Sequence, residues 1–258
     1  MSRLRIFVAV PFLLIGGPSH GQETAVADLV RKLDRSRLPE KSFVVDVRID
    51  QSDPRGRKKP RTHGIKLYAR KASGGPAAGF STLSACLSPP ADRNKLFLID
   101  GKRCWFYDPR ASRPTLIPSK QVWDQAFVAD SLAVSYARQY EARLLGREKI
   151  RTPEGGEKLC QVVHLTARSG TKTGVNATRF WLDAEGLPVR SVLYAKSGAV
   201  LRTATYAAFR NVLGAMRPTR VTVKSPESAT VIRFSNHQYR DLPDSLFKPA
   251  NMPKMKIK

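Results

Sequence analysis

Cysteine is scarce and never paired at a working distance. Cys86, Cys104 and Cys160 are the only three, each inside an apolar run (SACLS, RCWFY, LCQVV). That spacing excludes the C-x-x-C arrangements of zinc and thiol-redox sites, and a buried, inert thiol is the common fate of such residues. An oxidising compartment could join two of them and leave one over, or none, and spacing does not decide. Histidine is thin too, four in all: beyond His20, His63, His164 and His237 stand singly, with no H-E-x-x-H, G-x-S-x-G, P-loop or Rossmann fingerprint anywhere. Asp108 and Asp183 read as strand-end and turn residues, so no acid/base pair can be named. The chain is therefore expected to be no enzyme and to carry no metal or cofactor.

Acidic residues are also few, 21 Asp and Glu against 45 Lys and Arg, for a formal charge of +24. Long hydrophobic runs are missing too. The apolar stretch from Ile6 to Ile15 follows Arg3 and Arg5 and precedes Ser19 and Gly21. It is too short to span a bilayer, and its order is that of a secretory signal peptide over residues 1–21, with cleavage before Gln22. An exported basic chain meets anionic lipid headgroups rather than nucleic acid, each nearby Lys or Arg adding up to about 1 kcal/mol. A merely solvated basic surface accounts for the same charge.

What is present is alternation. After the cut, Val26, Leu29, Val30 and Leu33 mark one face of a helix that Pro39 helps to end. From Ser42 the period changes to two: SFVVDVRID and HGIKLYARK read as strands joined by QSDPRGRKKPRT, a basic tip holding Arg55, Arg57, Lys58, Lys59 and Arg61. Asp100-Gly101 signals a hairpin between LFLI and CWFY. SKQVWDQAFVAD places Trp123, Ala126 and Phe127 at helical spacing. Val134, Tyr136, Tyr140, Ala142 and Leu144 then read as one side of a long strand, broken only by Arg138. FWLDAEGLPVRSVLYAKSGAVL carries turns at Asp183 to Gly186 and at Ser197-Gly198, continuing the meander.

The pattern predicts one α+β domain over residues 22–258, with about ten or eleven strands in a single large, curved antiparallel sheet and two helical pieces. Two short helices cannot cover such a sheet, so its apolar face must meet something else. A second sheet would serve, as in a sandwich or closed barrel; a half-open barrel with a helical lid and an apolar cavity would serve as well.

NKLFLIDGKRCWFYDP (94–109), DSLAVSYARQYEARLLGRE (130–148) and FWLDAEGLPVRSVLYAKSGAVLRTATY (180–206), in that order, resemble the periplasmic outer-membrane lipoprotein-sorting proteins, the LolA-like group. The resemblance runs over most of residues 40 to 240. It implies a half-barrel whose concave face, closed by helices, holds acyl chains of a lipoprotein or amphiphilic lipid in the periplasm. This chain is longer and more basic than the lipoprotein carrier itself, and no arginine of that carrier's cavity is transferred to a position here.

With the alternation, this marks Leu98, Trp105, Tyr107, Tyr136, Tyr140, Phe180, Leu182, Val192 and Tyr194 as candidates to line the cavity. Trp123 and Phe127 are the candidate lid, and the basic tip from Arg55 to Arg61 a candidate membrane contact. The expected protein is a periplasmic monomer that carries lipid or lipoprotein from an inner-membrane export complex towards the outer membrane. The rival is a lipid-sensing or interaction module signalling to a membrane partner, for which no additional domain is visible after Leu242.

Overall fold

The computed structural model describes residues 20–57, 59–71, 80–100, 103–117, 134–169 and 175–255, without side-chain detail for 20–22. Residues 1–19 of the expected signal peptide, Lys58, and Trp123 and Phe127 of the expected lid lie outside the described residues.

The described residues open with helix α1 (His20–Arg37) and continue into β1 (Phe43–Ser52), β2 (Arg61–Lys71), β3 (Phe80–Ser88), β4 (Leu96–Asp100), β5 (Arg103–Tyr107) and β6 (Thr115–Ile117). A helical turn, α2 (Tyr136–Gln139), leads into β7 (Tyr140–Arg151), β8 (Glu157–Ala167), β9 (Ala177–Leu182), β10 (Pro188–Tyr194), β11 (Val200–Val212), β12 (Ala215–Lys224) and β13 (Ala229–Tyr239). Two 3₁₀ turns, Asp244–Phe247 and Pro249–Lys254, follow. The thirteen strands of the described residues join one open sheet in the order β6-β5-β4-β3-β2-β1-β13-β12-β11-β10-β9-β8-β7. Every pairing is antiparallel; the chain winds outward from β1 on one side and returns through the meander to close on it from the other.

The strand number exceeds the expected ten or eleven. One addition is β6, three residues of RPTLIP too short to display alternation. The other correction concerns α2. Tyr136 to Tyr140 was expected to be extended, but a helical turn forms because Asp34 of α1 caps it. The Asp34 carboxylate accepts from the backbone N–H groups of Tyr136 and Ala137 (both 3.0 Å), from the Ser135 hydroxyl (2.8 Å) and from Arg37 (3.1 Å). A carboxylate at the first turn answers backbone donors that have no partner inside the turn. Tyr136 and Tyr140 nonetheless share a side, now through i, i+4 spacing.

The main core explains the bend. Val26, Leu29, Val30 and Leu33 of α1 pack with Val45, Val47, Leu67 and Phe80 from one half of the sheet and with Val163, Phe180, Tyr206, Val221 and Ile232 from the other. In a flat sheet β3 and β7 would stand roughly 40 Å apart at about 4.8 Å per strand. Their residues reach one cluster only because the sheet curls around the helix. Two further contacts seat α1. Gly186 (φ +80°) lies where an added Cβ would come within 3.0 Å of the Lys32 stem, so the β9–β10 turn touches the helix through a residue without a side chain. Arg217 of β12, itself buried, donates to the carbonyl of Arg35 at the helix end (2.9 Å) and to that of Val212 (3.0 Å). Burial pushes its guanidinium below the ordinary value.

The edges differ. β6 is three residues long and β7 twelve, and β7 carries Arg143, Arg147, Lys149 and Arg151 exposed, with a register shift at Gly146 (φ +130°). These are the devices by which natural edges resist pairing with other chains.

Asp34→Ala should lower stability by about 3 kcal/mol in urea unfolding. It strips α2 of its cap and leaves Arg37, whose side chain is 8% exposed, without its carboxylate. A loss under about 0.5 kcal/mol would show that the capped turn does not hold the helix to the sheet.

Candidate functional site

Strand alternation gives the sheet two lined faces. On the helix-covered face an aromatic chain runs through the core: Tyr140 and Tyr136 lie 5.1 Å apart between ring centroids, Tyr136 and Phe180 5.2 Å, and Phe180 and Tyr206 6.4 Å. The first two contacts are edge-to-face, the arrangement that ring quadrupoles favour. The Arg37 guanidinium sits 4.2 Å from the Tyr136 ring centre. Leu182, Val163 and Leu165 fill in around the rings. Polar groups are sparse. Tyr206 and Ser191 share a hydrogen bond of 3.0 Å, and the Tyr140 hydroxyl donates to the Val175 carbonyl at 3.2 Å. The hydroxyls of Thr82 and Thr178 are buried without a partner on this face. Burial pushes the Tyr206 phenol up to about 12, with Tyr136 a further cause in the same direction. Chemically this face is apolar and offers a few hydroxyls.

The expected lining residues separate between the faces. Tyr136, Tyr140, Phe180 and Leu182 gather on the helix-covered face. Leu98, Trp105 and Tyr107 stand on the opposite one, Leu98 and Trp105 in register with Leu83 and Tyr68 and Tyr107 with Leu96, beneath Leu242, Leu246, Phe247, Met252 and Met255 of the C-terminal segment. Val192 and Tyr194 also face outward, with Trp181, Val162 and Ile150. These five therefore stand apart from the helix-covered cluster. Both faces of these strands are apolar, so alternation identifies two faces without saying which one turns inward, and a one-residue difference selects the other. The missed signal was the segment LPDSLFKPANMPKM, whose apolar residues cover the second face. Arg70 holds that segment through an ion pair with Asp244 and lies 4.8 Å from the Phe247 ring centre. A small cleft of about 250 Å³ remains there, lined by Leu96, Tyr107, Pro109, Met252 and Met255 among others. Tyr206 and Asp34 were also overlooked: Tyr206 was legible as the partner of Ala204 in alternation, whereas nothing local marks Asp34.

At the basic tip, Arg55, Arg57, Lys59 and Arg61 are exposed. Arg57 pairs with Asp53 at 3.3 Å, and Asp53 also accepts from the Arg55 backbone. The three cysteines are free and buried, and burial raises the thiols of Cys86 and Cys160, the latter to about 11. Among the described residues no group of three His, Cys, Asp or Glu could hold a metal, and no helix is long and apolar enough to cross a membrane.

A single open antiparallel sheet curled around a helix is the LolA-like fold, and solved structures bear this out. A LolA superfamily protein from Nitrosomonas europaea superposes with a TM-score of 0.71 at 24% identity, over 86% of this chain and 97% of that one. A DUF1329 family protein from Desulfovibrio piger gives 0.75 at 19% identity (89% and 98%). A domain described as an outer membrane lipoprotein-sorting protein, from Vibrio parahaemolyticus, gives 0.72 at 17% identity (90% and 99%). At these identities the likeness establishes the fold. A family model described as an uncharacterized protein family matches residues 80–254, and the chain belongs to that family, which is DUF1329-like and consistent with the LolA-like group. No curated protein matches by sequence.

The sign of the Tyr206 effect is fixed. Its folded pKa lies above the ordinary tyrosine value near 10, so its contribution is intact below pH 10 and is lost as pH rises from there towards 12. Tyr206→Phe should therefore lose less stability than the parent between pH 10 and 12 in denaturant titrations. Parallel losses in both would place the phenol in a more solvated setting than the fold gives it.

Proposed function

We propose that this protein is a non-catalytic periplasmic carrier, a single domain over residues 22–258 after removal of a signal peptide, that shelters acyl chains of a lipoprotein or amphiphilic lipid. The observation that carries the reading is the helix-covered apolar face, where Tyr136, Tyr140, Phe180 and Leu182 meet α1 in a sheet that never closes. The LolA-like fold supports it, since one solved neighbour is described as lipoprotein-sorting. Each buried methylene is worth roughly 0.8 kcal/mol, so a long acyl chain gains more than about 10 kcal/mol on leaving water. An apolar hollow of comparable worth to a bilayer lets that chain move in either direction near balance. Trp123 and Phe127 are the proposed lid, and Arg55, Arg57, Lys58, Lys59 and Arg61 the proposed contact with anionic headgroups near an export complex.

Native mass spectrometry of the protein taken gently from its own periplasm should show a co-purifying lipid or acylated peptide. Tyr136→Ala should weaken binding of a fluorescent fatty acid about tenfold, the loss of one ring's contacts, while Tyr107→Ala on the opposite face should leave it unchanged. Weakening by Tyr107→Ala alone would move the site to the other face and remove this reading.

Replacing the five basic residues of the β1–β2 tip with Ser should slow association with anionic vesicles, most clearly at low salt. Unchanged association under those conditions would eliminate docking through the tip.

A further inference from the structure

The outward face of β7 to β10 holds a cluster that acyl binding does not use. Arg143, His164 and Arg179 are successive register partners across β7, β8 and β9, so their side chains stand in one row on one face. Cross-strand neighbours of like charge destabilise a sheet. Among the described residues Arg143 has no ion-pair partner, and two acids on the same face are engaged elsewhere, Glu141 with Arg168 (3.7 Å) and Glu148 with the Trp181 indole N–H (2.7 Å). Aromatic rings lie beside the row. The Arg179 guanidinium is 5.9 Å from the Tyr194 ring centre, and that ring is 6.4 Å from His164. One step away diagonally, Arg190 lies 5.0 Å from the Trp181 ring centre. Two polar atoms in the row, Arg179 Nε and His164 Nδ1, are buried with no hydrogen-bond partner. A buried donor without an acceptor is costly, and a carrier of negative oxygens would relieve both the missing bonds and the repulsion.

We propose that Arg143, His164 and Arg179, with Tyr194 and Arg190 beside them, form a binding site for a phosphate-type oxyanion, either free or as a phospholipid headgroup. The planar guanidinium of Arg179 supplies directed N–H donors, Arg143 adds charge at the solvent side, and protonated His164 supplies a third donor. In the unliganded protein burial, then Arg179 and Arg143, hold the imidazole below its ordinary value. A bound anion favours the charged ring, so binding and protonation of His164 strengthen each other, and affinity rises as pH falls through its midpoint. Glu141 opposes the anion weakly from the same face. The site lies apart from the helix-covered face and does not depend on acyl binding.

The test follows the His164 ring by NMR in the intact chain, with inorganic phosphate added at constant ionic strength against chloride. A saturable shift is expected, with the imidazole midpoint rising by about half a unit or more. Removing the arginines also raises that midpoint, which separates the two effects. In Arg143→Gln/Arg179→Gln the phosphate-free midpoint should already be higher, and phosphate should no longer move it, with affinity down at least about tenfold. Arg143→Gln alone alters an exposed side chain and should give an intermediate loss in a protein that folds normally. Phosphatidylglycerol and phosphatidylcholine vesicles form the second arm. A response lost in the double variant supports the site, and its source is free phosphate if only the ion acts, or a headgroup if phosphatidylglycerol vesicles act. No saturable response to either probe, or equal responses in parent and variant, overturns it. Fatty-acid binding should be unchanged in these variants, so failure here leaves the carrier reading standing.

Discussion

The structure depends on the seal between one helix and the inside of a curled sheet. Strands that would otherwise form a broad open surface converge on Val26, Leu29, Val30 and Leu33, and each such side chain contributes roughly 1.5–3 kcal/mol on burial. Apolar contact alone has no direction. Position along the helix is set by polar groups at its end: Asp34 gathers the start of α2, and Arg217 of β12 reaches the Arg35 carbonyl. A single carboxylate thus joins the first helix to the entry of β7, across more than a hundred residues of sequence.

That arrangement gives the two faces different characters. The inner face is aromatic, its charges gathered near the helix end at Asp34, Arg37 and Arg217, with the Ser191–Tyr206 pair and unpaired threonine hydroxyls among its few other polar features. The outer face is divided: at one end the C-terminal segment covers Leu83, Leu96 and Leu98, while at the other Arg179 and Arg190 lie against Tyr194 and Trp181. Long basic side chains can cover apolar surface with their stems while keeping charge near water. Arg179 and Arg190 therefore have a structural task as well as an electrostatic one.

Periodicity made α1 legible, because four apolar residues at helical spacing leave one possible face, and the helix buries all four. Turn chemistry revealed the β4–β5 and β9–β10 hairpins through Asp100 and Asp183 for the same local reason. What stayed hidden depends on contacts distant in sequence. The α2 turn needs Asp34, and the facing of Leu98, Trp105, Tyr107, Val192 and Tyr194 needs knowledge of what covers each side. Of the candidate lining, the four residues Tyr136, Tyr140, Phe180 and Leu182 come together because their strands lie on the helix side, a fact no single strand contains.

The long outer strand β7 has a consequence for behaviour at high concentration. Its row of guanidinium and ammonium groups and its glycine bulge keep an otherwise templating edge from recruiting another chain. That protection is electrostatic in part, so it is conditional: a dense polyanion or concentrated salt would screen it and leave twelve residues of ladder free to nucleate intermolecular β-structure. Solubility of this molecule is thus a property shared with its ionic surroundings.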